Sequence, residues 1–229
     1  MHRLTIADKV ISFNKQLQFS GKLPKGFHAL NPYMDNPETM VVMEKFYRKY
    51  YNDSRKRILI IGINPSRHGA GVTGVPFTDT KRLESECGIA MHSAHTHEVS
   101  SVFMYDMITA FGGAEKFYGR YYINSPFPLA IVKQTAPHTW LNANYYDDKA
   151  LFESVKSFMM ASLLVHIGIA AETSVAFILG KKNADYIKRL TKATPLFDKT
   201  VVLEHPRYIQ QYKLKEKDSY IHKYLEALQ

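Results

Sequence analysis

The feature that most constrains the fold is a short, almost wholly aliphatic segment that runs directly into a glycine-rich loop. Residues 57–63 have the sequence RILIIGI, and Gly69, Gly71 and Gly74 follow within a few positions. A near-continuous run of Ile and Leu predicts a strand that is covered on both faces, as in parallel sheets. Open α/β sheets bind ligands outside the carboxyl ends of such strands. We therefore expect a ligand site around Asn64, where this strand ends.

Three further segments have the apolar, β-branched character of strands. We predict strands over residues 99–108, 173–179 and 200–203. Residues 118–132 are expected to be extended but interrupted, because prolines cannot donate a hydrogen bond to a neighbouring strand. Residues 133–146, which contain the only tryptophan of the chain, are expected to form a loop.

Helical spacing of apolar residues alternates with these strands. We predict helices over residues 3–20, 37–51, from Asp147 or Asp148 to about Ile169, 181–192 and 211–228. The second of these has Asn36 as N-cap and Pro37 as its first residue. Alternating helices and strands predict a three-layer α/β/α sandwich with a short, mostly parallel central sheet of about four strands.

The length of 229 residues fits one compact domain. We expect residues 1–229 to form that domain, with residues 1–55 as a helical part packed on the α/β core. The single cysteine, Cys87, excludes a disulfide within the chain and favours a reducing cytoplasm. The N-terminus lacks the apolar core of a signal peptide, and no apolar run of 18 residues is present, so we expect no membrane segment.

Lysine and arginine exceed aspartate and glutamate, which gives a formal net charge of +9. Such an excess favours a polyanionic partner, because Lys and Arg neutralise phosphates. A solvated basic surface is the alternative. The histidines at 92, 95 and 97 share neither a helical face nor a strand face and have no cysteine beside them, so we expect no metal site.

Two motifs are more specific than these patterns. Residues 62–77 have the sequence GINPSRHGAGVTGVPF, and His205-Pro206 follows the last predicted strand. Asn124 precedes a Ser-Pro-Phe-Pro-Leu segment. Together they resemble the uracil-DNA glycosylase superfamily, in particular its single-strand-selective monofunctional group. The resemblance implies an α/β/α fold and a monofunctional DNA glycosylase that removes uracil or a related damaged base, acts in base excision repair as a monomer, and needs no cofactor or metal.

The resemblance also implies roles for two catalytic residues. Asn64 would orient the attacking water, because an amide oxygen can accept a hydrogen bond but is not a strong base. His205 would donate a hydrogen bond to the uracil O2, where negative charge develops as the base departs. An alternative for His205 is a helix cap or a turn.

Base binding is assigned to a second group of residues. Phe77 would stack on the base, and Asn124 would pair with the N3–H donor and the O4 acceptor of uracil. Cytosine has the reverse pattern, an acceptor at N3 and a donor at N4. Gly62, Ile63 and Gly69 would complete the pocket, and backbone N–H groups in the loop over residues 66–71 could bind base or phosphate. Phe77 could instead be a core residue.

DNA contacts are assigned to the segment after His205 and to the first loop. The residues concerned are Ser66, Arg67, His68, Pro206, Arg207 and Tyr208. Both segments depart from the family pattern. The family has His-Pro-Ser-Pro at the segment that begins with His205, and it has Gly-Pro-Phe at residues 66–68 of the first loop. Asn142 and Asn144 are also rival amides for the role of Asn124. The alternatives are therefore a DNA-binding module with weak or lost activity, and a glycosylase that prefers xanthine or hypoxanthine.

Overall fold

The structure is a computed structural model that describes residues 3–229, and these residues form two β-sheets. The strands of a parallel sheet, in spatial order, are β3 (Tyr121–Asn124), β2 (Arg57–Ile61), β6 (Ala171–Leu179) and β7 (Lys199–Leu203). The strands of an antiparallel sheet, in spatial order, are β1 (Phe27–Leu30), β4 (Ala130–Ala136) and β5 (Thr139–Ala143).

Helices surround these sheets. They are α1 (Ile6–Gln16), α2 (Pro32–Asp35), α3 (Pro37–Tyr50), α4 (Ala70–Thr73), α5 (Thr80–Ser85), α6 (Val99–Phe111), α7 (Ala114–Tyr118), α8 (Lys149–Ala170), α9 (Lys181–Leu190), α10 (Pro206–Tyr212) and α11 (Lys217–Leu228), with a 3₁₀ turn at Leu214–Glu216. Asn36 caps α3 by accepting from the amide of Glu38, and Asp148 caps α8 by accepting from that of Leu151. Both caps follow the predicted pattern.

Two neighbouring tyrosines of β3 show that helices cover both faces of the parallel sheet. Successive side chains of a strand point to opposite faces. The hydroxyl of Tyr121 donates to the carbonyl of Leu228 in α11, and the hydroxyl of Tyr122 hydrogen-bonds to His166 in α8. The predicted α/β/α sandwich with a four-stranded parallel sheet is therefore confirmed.

The strand predicted over residues 99–108 is wrong, because this segment lies in helix α6. The helix is buried on most sides, including at Ser100 and Ser101, so its apolar residues follow no single helical stripe. The fourth strand of the parallel sheet is β3, within the region predicted to be extended. The C-terminal helix predicted over residues 211–228 is divided, and its first part, α10, already begins at Pro206.

The loop predicted over residues 133–146 is also wrong. Most of it forms the hairpin of β4 and β5, whose turn contains His138 with a positive φ of 61°. Glycine is the usual residue in this conformation, and with histidine there the turn does not have a typical hairpin sequence. Strand β1 adds to the hairpin from the N-terminal part, where it lies between the two helices predicted over residues 3–20 and 37–51.

Helix α8 is long and apolar enough to cross a membrane by length and composition alone, although polar residues interrupt its apolar sequence. The helix packs against β2, β6 and α1. Its buried positions recur at helical spacing, as expected for the core helix of an α/β fold. They are Leu151, Phe152, Val155, Met159, Ser162, Leu163, His166, Ile169 and Ala170.

A buried amide ties together the carboxyl ends of two parallel strands. Asn183, in α9, is fully buried, and its Nδ2 lies 3.3, 3.1 and 3.1 Å from the carbonyl oxygens of Ile61, Gly62 and Leu179. Its Oδ1 accepts from the hydroxyl of Tyr145, which lies just after β5. One side chain therefore links β2, β6 and the end of the antiparallel sheet.

We predict that Asn183→Asp lowers the free energy of unfolding by about 2 to 4 kcal/mol. The carboxyl group has an oxygen in place of the NH₂ group, so most of the three carbonyl oxygens lose their hydrogen-bond donor. Urea unfolding measures the change. Asn142→Asp is the matched control, since exposed Asn142 uses only its amide oxygen, which accepts from the N–H of Arg67. Equal stability of the two variants would contradict the role of Asn183.

Candidate active site

A cavity of about 640 Å³ lies at the carboxyl end of the parallel sheet. All four strands of that sheet lead into it: Asn64 follows β2, Asn124 ends β3, Gly180 follows β6 and His205 follows β7. The cavity thus occupies the position where open α/β sheets bind ligands. Asn64 and His205, which are far apart in the sequence, line the same space.

The residues assigned from the sequence divide into two sets. Those that line the cavity are Ile63, Asn64, Ser66, Phe77, Asn124, His205, Arg207 and Tyr208. Those that do not are Gly62, Arg67, His68, Gly69 and Pro206. The rival amides Asn142 and Asn144 also line the cavity.

The side chain of Asn64 is fixed by the end of the antiparallel sheet. Its Nδ2 donates to the carbonyl of Ala143 at 3.0 Å, and its Oδ1 accepts from the N–H of Tyr145 at 3.1 Å. A carbonyl requires a donor and an N–H requires an acceptor, so these two contacts set which end of the amide is oxygen. The second lone pair of Oδ1 has no protein donor in the described residues.

His205 is the N-cap of α10, where its Nδ1 accepts from the N–H of Arg207 at 3.1 Å. Burial, and then the positive charge of Arg207, lower the pKa of His205 to about 4. The imidazole is therefore neutral near pH 7. Because Nδ1 accepts, the ring proton must lie on Nε2, which leaves Nε2–H as a hydrogen-bond donor. His205 can therefore cap the helix with Nδ1 and donate a hydrogen bond with Nε2, so the two roles predicted as alternatives do not exclude each other.

Phe77 has a positive φ of 53°, which is rare for a residue with a side chain. The Thr73 hydroxyl holds this turn, because it donates to the carbonyl of Thr78 at 2.6 Å and accepts from the N–H of Val75. The ring centroids of Phe77 and His205 are 5.7 Å apart. Strained backbone of this kind persists only where neighbours enforce it, and it is common at binding sites.

Gly62 lies behind that ring. A Cβ atom at Gly62 would be 3.1 Å from Cε2 of Phe77 and 3.2 Å from Oγ of Ser125. Gly62 therefore supports the position of the ring without lining the cavity itself. Gly69 is similarly placed, since a Cβ there would overlap the carboxyl group of Glu98.

Asn124 lines the cavity, and its amide keeps one donor and one acceptor without a partner in the described residues. Its Nδ2 donates to the hydroxyl of Tyr122 at 2.8 Å, and its Oδ1 accepts from the N–H of Ser125 at 2.8 Å. An amide has two donor hydrogens and two acceptor lone pairs, so one of each remains within the described contacts. This is the set that a planar base edge with one donor and one acceptor requires.

The mouth of the cavity carries positive charge and aromatic rings. Lys181, Lys182 and Arg207 line it and are exposed. Tyr208 and Tyr212 of α10 also line it, with ring centroids 5.7 Å apart. Cations and exposed rings together suit a polyanion with bases that can stack.

Some lining residues were missed by sequence reasoning. Glu98 lies between α6 and the first loop, and burial raises its pKa to about 7. Glu98 belongs to no motif in the sequence, so nothing there indicated this carboxyl group. Lys181 and Lys182 could have been found, because they follow Gly180 at a strand end that belongs to the same edge of the sheet.

The amide groups of the first loop are mostly occupied. The N–H groups of Gly69 and Gly71 both donate to the carbonyl of Ser66, that of His68 donates to Oγ of Ser66, and that of Arg67 donates to Asn142. The prediction that loop N–H groups bind base or phosphate is therefore wrong for these four. Instead, they give the loop its shape.

The histidines at 92, 95 and 97 lie apart from the cavity. Nδ1 of His97 lies 2.6 Å from a guanidinium nitrogen of Arg82, next to buried Asp79. Within residues 3–229, His, Cys, Asp and Glu side chains form no group of three or more that could hold a metal ion.

The fold and the family of the chain are those of a DNA glycosylase. The sequence model of the Uracil DNA glycosylase superfamily matches residues 48–229, so the chain belongs to that superfamily. Its members hydrolyse N-glycosyl bonds in DNA, and the resemblance seen in the motifs is confirmed. No curated protein matches the chain.

A solved structure gives a more particular likeness. The chain is similar to the protein in the crystal structure of WT Pedobacter heparinus SMUG2, with 46% sequence identity and a TM-score of 0.95. The match covers 98% of this chain and 97% of that one.

We predict that Gly62→Ala slows base excision by roughly ten- to a hundredfold, because the added methyl group displaces Phe77 and small displacements in a site are costly. Single-turnover excision from a labelled oligonucleotide measures this rate. Gly168→Ala is the matched control, since a Cβ there meets nothing within 4 Å and α8 gains helix propensity. An unchanged rate in Gly62→Ala would contradict this support of Phe77.

We predict that His205 stays the neutral Nε2–H tautomer from about pH 8 to about pH 5. Its folded-state pKa lies below the ordinary value of 6.5, so protonation favours unfolding and stability falls as the pH drops from 6.5 towards 4. Long-range ¹H–¹⁵N NMR, assigned with His205→Gln, measures both tautomer and pKa. A midpoint near 6.5 or a proton on Nδ1 would contradict the assignment.

Proposed function

We propose that the protein is a monofunctional glycosylase that removes uracil, or a related deaminated or oxidised base, from DNA in base excision repair. The observation that carries the proposal is the convergence of Asn64, Phe77, Asn124 and His205 on one cavity. Water adds to the sugar C1′ as the C1′–N bond breaks, and the products are a free base and an abasic site.

Asn64 orients the water in this proposal. One lone pair of its Oδ1 is occupied by Tyr145 N–H, and the other is available to accept from a water molecule. The contact with the Ala143 carbonyl prevents the amide from turning. Since an amide is a weak base, the residue positions the water rather than deprotonating it first. Bond breaking must then run ahead of water attack, with positive charge developing on the sugar.

His205 stabilises the departing base. Its neutral ring can donate from Nε2–H to the base oxygen on which negative charge grows. A donor of this kind, fixed before the reaction begins, contributes about 2.7 to 4 kcal/mol to the transition state. The helix cap holds the ring, so little reorganisation is needed when charge develops.

Phe77 and Asn124 select the base. The ring of Phe77 offers a face for stacking, and the free donor and acceptor of Asn124 suit the O4 and N3–H groups of uracil. The edge of cytosine has the opposite order of donor and acceptor. A fixed amide therefore favours uracil.

DNA binding follows from the charge of the mouth and of the whole chain. Lys181, Lys182 and Arg207 can contact phosphates, and the net charge is +9. A base in a duplex must leave the stack to reach the cavity. Tyr208 is 44% exposed and Tyr212 is 73% exposed, so both can stack against neighbouring bases. We further propose that the protein acts as a monomer in the reducing cytoplasm, which its single, buried cysteine favours.

We predict that the protein releases uracil from oligonucleotides and leaves abasic sites that break only after alkali treatment. Labelled single- and double-stranded substrates with uracil, hydroxymethyluracil, xanthine or hypoxanthine give the preferred base and strand. Because lysines lie at the mouth, borohydride trapping is also needed to detect a covalent complex between the protein and DNA. Such a complex would contradict monofunctional action. Salt-sensitive DNA binding with no base release would instead indicate a DNA-binding module.

We predict that Asn64→Ala and His205→Ala each reduce single-turnover excision by about 10²- to 10³-fold while DNA affinity changes little. Both residues contact the reacting groups, whereas the cations of the mouth supply most of the affinity. Asn52→Ala and His222→Ala are matched controls, because both are exposed and lie outside the cavity. Rates equal to those of the controls would contradict the assigned roles.

A further inference from the structure

A buried hydrogen-bond chain lies behind Asn124. Nδ2 of Asn124 donates to the hydroxyl of Tyr122 at 2.8 Å, and this hydroxyl lies 3.0 Å from Nδ1 of His166. Tyr122 and His166 are both fully buried, and neither lines the cavity. The ring of Phe13 packs edge-on against His166, with centroids 4.7 Å apart. The chain therefore connects the base-facing amide to the core beneath the sheet.

The protons of this chain have one consistent arrangement. Burial lowers the pKa of His166 to about 3 and raises that of Tyr122, so both groups are neutral. The tyrosine oxygen accepts from Asn124, and its single proton can then go to Nδ1 of His166. The imidazole proton lies on Nε2, which has no partner in the described residues. The donors therefore run from Asn124 through Tyr122 to His166.

The opposite orientation of the Asn124 amide is unfavourable at both ends. If the amide turned over, its NH₂ group would face the N–H of Ser125, two donors at a distance that now holds a hydrogen bond of 2.8 Å. Its oxygen would face Tyr122, whose proton would have to leave His166. A buried donor or acceptor without a partner is costly.

We propose that Tyr122 and His166 are positioning residues that hold Asn124 in the orientation complementary to uracil and so exclude cytosine. This inference rests on the proposed function. A base with the cytosine edge, acceptor N3 beside a donor amine, needs the amide turned over. The backbone N–H of Ser125 opposes that turn in every variant. Tyr122 opposes it only while its hydroxyl proton is hydrogen-bonded to Nδ1 of His166.

The first test is Tyr122→Phe, which removes the hydroxyl and keeps the ring. We expect the ratio of uracil to cytosine excision rates to fall at least about tenfold, which corresponds to about 1.4 kcal/mol. The rates are measured under single turnover in one oligonucleotide with uracil or cytosine at the same position. Cytosine release should rise above the wild-type level while uracil release falls.

Tyr121→Phe is the matched control for packing and stability. Tyr121 is the preceding residue of the same strand, is fully buried and loses a comparable hydroxyl, which donates to Leu228 on the opposite face of the sheet. We expect this variant to keep the wild-type ratio. If both variants slow uracil release equally and neither releases cytosine, the role of Tyr122 is structural and the proposal is overturned.

The second test separates His166 from Tyr122. In His166→Leu the tyrosine proton loses its acceptor and can turn towards Asn124, so we expect the ratio to fall as in Tyr122→Phe. In His166→Asn an amide oxygen can replace Nδ1 as acceptor, so we expect the ratio to return towards that of the wild type. A wild-type ratio in His166→Leu would overturn the role of His166.

The proposed function and this inference fail in different ways. A wild-type protein that releases no base from any of the substrates overturns both. A wild-type protein that releases uracil, together with an unchanged ratio in Tyr122→Phe, overturns only the inference. A fallen ratio in Tyr122→Phe and His166→Leu, with the control unchanged, supports it.

Discussion

The hydrogen bonds of one buried amide hold together the two sheets that form the site. Asn183 donates to carbonyl oxygens at the ends of β2 and β6 and accepts from the hydroxyl of Tyr145. The N–H of Tyr145 in turn donates to Asn64. The orientation of Asn64 therefore depends on a residue that does not belong to either motif. Without that amide, three carbonyl groups would lose a hydrogen-bond partner. A side chain of α9 therefore contributes to the position of Asn64.

The groups closest to the proposed chemistry are all neutral, although the protein is strongly basic. Asn64 and Asn124 are amides, and burial keeps the pKa of His205 low. Each is fixed by a backbone group: Asn64 by Ala143 and Tyr145, Asn124 by Ser125, and His205 by Arg207. Positive charge is confined to the mouth, where phosphates would lie. Fixed dipoles inside and mobile charges outside suit a reaction whose catalysis is electrostatic.

The sequence predicted what is locally encoded and missed what depends on distant contacts. Strands β2, β6 and β7 have strong apolar patterns, and α8 has a clear cap at Asp148, so all four were predicted. Helix α6 was mistaken for a strand because burial on several sides removes helical periodicity. The hairpin was missed because its turn uses His138 rather than glycine. The site motifs identified Asn64 and His205, but nothing near Asn183 or Tyr122 in the sequence indicates the side chains that they contact.

Strand β1 precedes the part of the chain that matches the superfamily, which begins at residue 48. It nevertheless pairs with β4, which pairs with β5, and the last residue of β5 is Ala143, the acceptor for Asn64. The support of the central amide thus extends into a segment that the pattern of the family does not cover. Relatives with identical motifs can therefore differ in how the side chain of Asn64 is held, because strand β1 supports its hydrogen-bond partner Ala143 through β4 and β5.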